Sequence, residues 1–264
     1  MIFLLSYLAL GACAGFLAGL LGVGGGLIIV PVLTFLFTAQ GLPAPIILHL
    51  ALGTSLASIM FTSFSSLHAH HARGAVNWQI FRRITPGIIA GTFLGAWVAA
   101  QLTTRFLKGF FIGFLYYVAL QMLVNAKPKP TRQLPAKAGM FGIGSLIGGV
   151  SSLVGIGGGS MSVPFMVWCN VSMHNAIGTS AAIGFPIALA GAIGYMVNGL
   201  VATNLPSSSL GYVYLPALFG ISLISILTAP LGARLAHVLP VPGLKKAFAV
   251  LLVLMGTRML ISIY

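Results

Sequence analysis

The sequence contains neither aspartate nor glutamate in 264 residues, although it has 13 lysines and arginines. This absence excludes hydrolases built on paired carboxylates, proton relays that use carboxylates, and the acidic rings that attract cations. Hydrophobic residues make up 58% of the chain, charged residues make up 5%, and the mean hydropathy is +1.07. These values are typical of an integral membrane protein. The basic residues lie between apolar runs, which indicates membrane orientation signals and no nucleic-acid partner.

Cysteine is also scarce. The two cysteines, Cys13 and Cys169, lie inside apolar segments, so we expect buried thiols without redox or metal chemistry. The histidine-rich stretch His68–His71 has no carboxylate or cysteine beside it, and Arg73 follows it closely. We therefore expect a solvated cytoplasmic loop at this stretch. The sequence predicts neither a metal site nor a cofactor.

The most distinctive stretch is Gly22-Val23-Gly24-Gly25-Gly26, which is followed by Pro31. A second copy, Gly155-Ile156-Gly157-Gly158-Gly159, lies 133 residues further along (155 − 22) and is followed by Pro164 at the same distance. Since glycine is costly inside a helix, each copy predicts a break in a membrane-embedded helix. Such a break survives in lipid only where protein or an aqueous cavity meets the free backbone groups. Matching breaks in two halves are typical of the central site of a transporter.

Ten apolar segments fall into two sets of five. Residues 1–126 form the first transmembrane repeat, 127–137 a basic, proline-rich cytoplasmic linker, and 138–264 the second repeat. The second segment of each set is shorter than the roughly 20 residues that an upright span needs. Segments one and two therefore form either a re-entrant hairpin or two tilted short spans. The segments lie at about 2–21, 26–40, 44–66, 84–103, 107–124, 138–154, 159–171, 175–196, 211–238 and 244–263.

The two sets also share the heptapeptides His49–Ser55 and His174–Ser180, which indicates an internal duplication. Basic residues follow the third segment and fill the linker, whereas residues 197–210 have none. Placing the basic regions in the cytoplasm puts both termini outside and gives each repeat an odd number of crossings. The predicted fold is an all-α integral membrane protein of two inverted-topology repeats. Its glycine-broken or re-entrant helices meet near the membrane centre.

This topology predicts a multi-pass protein of the cell membrane, which is the inner membrane in a Gram-negative bacterium. We expect its substrate site where the two glycine breaks converge. A helix that begins at a break directs free N–H groups and its positive dipole end back at the break, an arrangement that attracts anions. The alternative is that the glycines only permit close helix packing. The glycines assigned to the site are Gly24, Gly25, Gly26, Gly157, Gly158 and Gly159.

The heptapeptides add hydroxyl groups and histidines to this site. Their threonines lie about ten residues into a segment, or roughly 15 Å, which is near the bilayer midplane. The histidines begin the same segments and are expected to bind the anion or to titrate during transport. The alternatives are hydroxyls that bond back to their own helix and histidines that serve as interfacial hydrogen bonders. The residues assigned are His49, Thr54, Ser55, His174, Thr179 and Ser180.

Three motifs together resemble the sulfite exporter TauE/SafE family over nearly the whole chain. They are Gly15-x₃-Gly19-x₂-Gly22-x-Gly24-Gly25-Gly26, the repeated His-x-Ala-[Leu/Ile]-Gly-Thr-Ser, and Gly191-Ala192-Ile193-Gly194-Tyr195-x₂-Asn198-Gly199. The resemblance implies a secondary transporter of small sulfur-containing anions such as sulfite and organosulfonates. Members often have an acidic residue before the position of Trp78, where this chain has Asn77. If that acid serves gating or coupling elsewhere, this chain works without it.

The sequence thus predicts a secondary transporter that moves a small anionic substrate across the lipid bilayer by alternating access. Helix starts, hydroxyls, histidines and the lack of fixed negative charge all favour an anion. That the anion contains sulfur comes from the resemblance alone. Two alternatives stay open: a membrane enzyme or sulfur-handling partner subunit that uses Cys13 or Cys169, and a transporter of a neutral solute.

Overall fold

The computed structural model describes residues 2–21, 25–124, 132–202, 204–235 and 241–262. These residues form ten α-helices and a two-stranded antiparallel ribbon, in which Ser209–Leu210 (β1) pairs with Val213–Tyr214 (β2). The helices are α1 (Ile2–Leu21), α2 (Gly26–Ala39), α3 (Ala44–His71), α4 (Trp78–Gln101), α5 (Thr104–Val124), α6 (Lys137–Val154), α7 (Gly159–Trp168), α8 (Met173–Gly199), α9 (Leu215–Leu235) and α10 (Val241–Ile261).

The ten helices coincide with the ten predicted apolar segments, which confirms the all-α architecture. Among the described helices, seven are long and apolar enough to cross a membrane: α1, α3, α4, α5, α6, α8 and α9. Helix α2 is apolar but has only 14 residues. Helix α4 begins at Trp78, earlier than expected, because the Asn77 side chain accepts the N–H groups of Gln79 and Ile80, each at 3.1 Å. Asparagine is among the best residues for capping a helix start.

Two smaller expectations need correction. The stretch His68–His71 is the last turn of α3, not a solvated loop, and His70 is buried there. The helix continues because the apolar face of α3 still packs against its neighbours at this depth. Of the two cysteines, Cys169 is buried as expected, whereas Cys13 lies on the exposed face of α1.

The two halves of the chain are interlocked. The first helix of each half packs along the fourth helix of the other, so that α1 lies against α9 and α6 lies against α4. The third helix of each half also packs against the fourth helix of the other, as α3 with α9 and α8 with α4. Helices α3 and α8 contact each other, and so do α5 and α10. Each of these contacts between helices therefore has an equivalent in which the corresponding helices of the two halves change places.

Glycines spaced four residues apart bring the first and fourth helices into backbone contact. A Cβ added at any of these positions would overlap backbone or side-chain atoms of the neighbouring helix, so only glycine permits this approach. Their neighbours on α9 and α6 lie at steadily increasing residue numbers, so each pair of helices is parallel. The glycines are Gly11, Gly15 and Gly19 on α1 and Gly87, Gly91 and Gly95 on α4.

Helices α3 and α8 cross the middle of the molecule in antiparallel orientation. Gly184 of α8 lies against Ser63 of α3, whereas Gly191, two turns later on α8, lies against Leu56, two turns earlier on α3. Both helices are buried over most of their length. The third helices of the two halves therefore run in opposite directions at the centre of the structure.

In each half the chain turns back between the first and second helices. We call the stretch between α1 and α2 the first break, and Gly155–Gly158, between α6 and α7, the second break. The amide of Gln40, just after α2, donates to the hydroxyl of Tyr7, near the start of α1. In the second half, the N–H of Arg132 donates to the carbonyl of Trp168 at 3.3 Å, and the Arg132 guanidinium lies over the Trp168 ring. The start of the first helix and the end of the second thus lie together in both halves.

Candidate functional site

The two breaks meet at the centre of the molecule. Gly26, the first residue of α2, lies so close to the second break that a Cβ would overlap the carbonyl oxygen of Gly155. Gly155 and Gly158 adopt φ values of 68° and 74°, in the left-handed region that favours glycine. The predicted helix break is therefore confirmed in the second half. Gly24 of the first break lies outside the described residues, and Gly25 packs against the backbone of Ala14.

The second break has a run of free backbone donors. The N–H groups of Gly157, Gly158, Gly159 and Ser160 have no hydrogen-bond acceptor among the described residues. The first bonds of α7 come from the next two residues, whose N–H groups donate to the Gly158 carbonyl at 3.1 and 2.9 Å. Four consecutive free N–H groups at a helix start form the arrangement that binds anions in many proteins.

The serines of the heptapeptides lie next to the breaks. The Ser55 hydroxyl on α3 donates to the Gly155 carbonyl at 2.8 Å, so it holds the second break from the opposite half. The Ser180 hydroxyl on α8 accepts a hydrogen bond from the Ser162 hydroxyl on α7 at 2.9 Å. The structure therefore brings Ser55, Ser180 and the second break together.

The threonines connect α3 and α8 to the fourth helices of the opposite halves. Thr54 accepts the N–H of Tyr214 at 2.9 Å, just before α9, and Thr179 accepts the N–H of Asn77 at 2.8 Å, just before α4. The preceding glycines, Gly53 and Gly178, let the backbones of residues 212 and 75 approach closely. Both hydroxyls are fully buried. In each heptapeptide the Gly-Thr pair thus docks the start of a helix from the other half.

The structure places the two histidines differently. His49 is 5% exposed, and its Nε2 lies 3.0 Å from the Ala99 carbonyl, which can only accept, so Nε2 carries the proton. Its ring lies against that of Tyr212, with centroids 5.1 Å apart. His174 lies on the exposed side of the start of α8. Neither histidine lines the central cleft described next.

A narrow cleft opens beside the second break, with room for about one water molecule. We call it the hydroxyl cleft, and its lining residues are Ala18, Thr62, Ser63, Ser66, Gly157, Ser180, Ala181 and Gly184. Ser66 is 4% exposed, and its hydroxyl has no hydrogen-bond partner in the described part of the chain. Two of the residues predicted for the site, Gly157 and Ser180, line the cleft.

Sequence reasoning missed the hydroxyls that α3 contributes to the cleft. Ser55, Thr62 and Ser66 lie on one buried side of α3, spaced by seven and four residues, and Ser63 lies beside them. This helical spacing of hydroxyls was a usable signal. It has no counterpart on α8, so an argument based on the duplication passed over it.

The motifs and the geometry agree with the result of a family comparison. The model of the family described as "Sulfite exporter TauE/SafE" matches residues 7–259, which is nearly the whole chain. The chain belongs to the sulfite exporter TauE/SafE family. Its relatives carry the name of membrane transporter, and this TauE/SafE protein is a membrane transporter, not an enzyme.

Three curated relatives show how far the similarity extends. The chain is 38% identical over 262 residues to a "Probable membrane transporter protein" of Haemophilus influenzae, covering 98% of this chain and 99% of the relative. The "Probable membrane transporter protein YunE" of Bacillus subtilis is 30% identical and is covered over 78% of its length. A relative of the same description from Methanocaldococcus jannaschii is 28% identical and is covered over 93%. No solved structure matches the chain.

Within this TauE/SafE protein, the residue before Trp78 serves as a helix cap. The Asn77 side-chain oxygen accepts two N–H groups of α4, while its own N–H donates to Thr179. An acidic residue offers the same acceptor oxygen, since asparagine and aspartate cap helices about equally well. Asn77 therefore caps α4 as an acidic residue would, but without a negative charge.

Proposed function

We propose that the protein is a secondary transporter that moves a small sulfur-containing oxyanion by alternating access. In this proposal the anion binds at the hydroxyl cleft, next to the second break, and the cleft widens from its present room for about one water molecule to admit it. The observation that carries it is the run of four free N–H groups beside a cleft lined by hydroxyls. These groups stabilise negative charge, and no acidic side chain exists anywhere in the sequence to repel it. The sulfur chemistry follows from the family.

An inverted arrangement of the two repeats supports alternating access. Inverted repeats produce an antiparallel contact such as that of α3 with α8. They also give each contact between helices a counterpart in the other half of the chain, as is found here. Such repeats let the same site open first to one side of the membrane and then to the other. In this topology the basic linker is cytoplasmic, and the cleft lies towards the cytoplasmic end of α3.

The breaks form the tips of two re-entrant hairpins in this proposal. Each hairpin has both outer ends on one side, as the Tyr7–Gln40 and Arg132–Trp168 contacts indicate. The tips touch where Gly26 meets Gly155. In this proposal the hairpins enter from opposite faces and meet tip to tip, so α1 and α6 do not complete a crossing although they are long enough for one. Their free backbone groups then face protein and the cleft, which is where membrane proteins tolerate broken helices.

The test is uptake of sulfite and of methanesulfonate into proteoliposomes under imposed pH and potential gradients. We expect uptake by the wild-type protein and none by Gly158→Leu, because a side chain there would meet Ile187 and Ile147 and strain a left-handed backbone. The matched control is Gly113→Leu, since nothing lies within 4 Å of a Cβ at that position. Size-exclusion chromatography checks that both variants fold. Absence of uptake by the wild-type protein, or equal uptake by the two variants, would refute the proposal.

A further inference from the structure

We propose that the hydroxyl cleft selects singly charged oxyanions over doubly charged ones of the same size, and that Ser66 and Ser180 contact the anion directly. This inference rests on the proposed function and defines the substrate more narrowly. The class includes sulfonates and hydrogen sulfite, and it excludes sulfate and the sulfite dianion.

The first argument is the charge of the cleft. None of the eight lining residues is charged. The positive potential comes from the start of α7, and a helix dipole is equivalent to about half an elementary charge. A single negative charge is largely compensated by this dipole and by neutral donors. A second negative charge would remain uncompensated in a buried site, which carries a large desolvation cost.

The titratable side chain one helical turn beyond Ser66 on α3 is that of His70. His70 follows Ser66 by four residues, near the end of the helix, and it does not line the cleft. The basic residues nearest in sequence to the lining segments are Arg73 and Lys137, and both are exposed. The charge preference therefore depends on the backbone and the hydroxyls of the cleft.

The second argument is the direction of the hydrogen bonds. The Ser180 oxygen accepts from Ser162, so the Ser180 proton remains to be donated. The Ser66 hydroxyl is buried at the cleft without a partner among the described residues, which is unfavourable unless a ligand satisfies it. Of the residues with free N–H groups at the second break, Gly157 lines the cleft, and its N–H can only donate. The cleft thus offers mainly donors, and its ligand must supply several acceptor oxygens.

The third argument is that this donor set occurs once. At the repeat spacing that relates His49 to His174, the α8 positions equivalent to Thr62, Ser63 and Ser66 are Ile187, Ala188 and Gly191. All three are buried, and Gly191 faces Leu56. Within the described residues, α8 therefore offers no second set of these hydroxyls, and the proposed site binds one anion at a time.

The experiment compares methanesulfonate and sulfate, two tetrahedral sulfur oxyanions of similar size that carry one and two charges at pH 7. Uptake of labelled methanesulfonate into proteoliposomes is measured with each unlabelled anion as competitor. We expect unlabelled methanesulfonate to halve uptake of the label at a concentration at least tenfold lower than sulfate requires. In Ser66→Ala, we expect the concentration of unlabelled methanesulfonate that halves uptake of the label to rise about tenfold. The matched control is Ser65→Ala, because the Ser65 hydroxyl donates to the Ile226 carbonyl at 3.0 Å, away from the cleft.

The outcomes separate this inference from the proposed function. Uptake of methanesulfonate with equal competition by sulfate would overturn the charge selectivity and leave the transporter proposal intact. Equal behaviour of Ser66→Ala and Ser65→Ala would overturn the role of Ser66. If neither methanesulfonate nor sulfite is transported, the proposed function itself fails. For sulfite, uptake should rise as the pH falls, because protonation converts the dianion into hydrogen sulfite.

Discussion

At the scale of single residues, the heptapeptides have two roles that their sequence does not distinguish. The serines lie at the breaks, whereas the threonines hold the starts of α4 and α9. The role of each threonine depends on a backbone group of the opposite half, and the sequence contains no sign of that pairing. The sequence analysis assigned Thr54 and Thr179 to the substrate site, but it could not predict that each accepts a backbone N–H from the opposite half.

The first prediction concerns these threonines. Thr54→Val and Thr179→Val preserve the side-chain shape but leave the N–H of Tyr214 or Asn77 buried without an acceptor. Each change should lower the free energy of unfolding by about 1–3 kcal/mol. The measurement is denaturant or thermal unfolding in detergent. The matched control is Thr34→Val, because Thr34 is buried but bonds only the Val30 carbonyl of its own helix, which keeps its backbone partner. Equal stability of all three variants would contradict this role.

Ser66 shows the limit of prediction at this scale. A serine in a membrane helix commonly bonds back to its own helix, and its sequence neighbours give no reason to single it out. Only the packing of α3 against α8 and the second break makes its hydroxyl a lining group of the cleft. His49 shows the opposite case, because its sequence position suggested a ligand, whereas in the structure its Nε2 bonds to the Ala99 carbonyl.

At the scale of helices, hydropathy was sufficient to locate all ten elements. Apolar runs in this chain end at glycine, proline or basic residues, so their bounds are visible without knowledge of the fold. The pairing of helices was not visible, because α1 contacts α9 across most of the chain length. The glycines with four-residue spacing on α1 and α4 were the available signal. They indicate close packing but do not identify the partner helix.

The second prediction tests this close packing. Gly91→Ala places a Cβ against the backbone of Ser145 and should push α4 away from α6. We expect a loss of about 1–3 kcal/mol in the free energy of unfolding, as for other overpacked interiors. The same substitution at Gly109 meets nothing within 4 Å and should leave the stability unchanged or slightly higher. If Gly91→Ala is as stable as Gly109→Ala, the helices are not in tight contact.

At the scale of the whole molecule, the two halves of the chain bury their glycine-lined faces against each other. Glycine-lined faces of α1 and α6 are covered by α9 and α4, which belong to the opposite repeats. Either repeat alone would expose these faces and the buried hydroxyls of α3 or α8. The duplication was visible in the heptapeptides, whereas the exchange of packing partners between the repeats was not.

The third prediction concerns the topology. Single cysteines at Gln133, just before α6, and at Ser208, between α8 and α9, are introduced after Cys13 and Cys169 are replaced by alanine. Both positions are exposed, so a membrane-impermeant thiol reagent can reach each from its own side. We expect the two sites to be labelled from opposite faces, with residue 133 cytoplasmic. Labelling of both from the same face would rule out inverted repeats, whatever the substrate.

The fourth prediction concerns alternating access at the contact of α3 with α8. A Cβ on Gly184 would lie 3.6 Å from the Cβ of Ser63, within the range of about 3.5–4.5 Å that disulfides span. In the cysteine-free background, the Ser63→Cys, Gly184→Cys double variant should form a disulfide on oxidation. The bond would hold α3 and α8 together at the cleft. In the proposed cycle these helices change their separation at the cleft, so anion uptake should stop on oxidation.

The controls distinguish a disulfide that locks α3 to α8 from new side chains that simply obstruct the cleft. The reduced double variant contains the same side chains at the cleft, so its uptake sets the reference, and reduction of the oxidised protein should restore that value. Each single-cysteine variant should be insensitive to the oxidant. Uptake that persists in fully cross-linked protein would show that α3 and α8 keep their contact throughout the cycle. The moving elements would then be α2 and α7, whose contacts with other described helices are less extensive than those of α1 and α6.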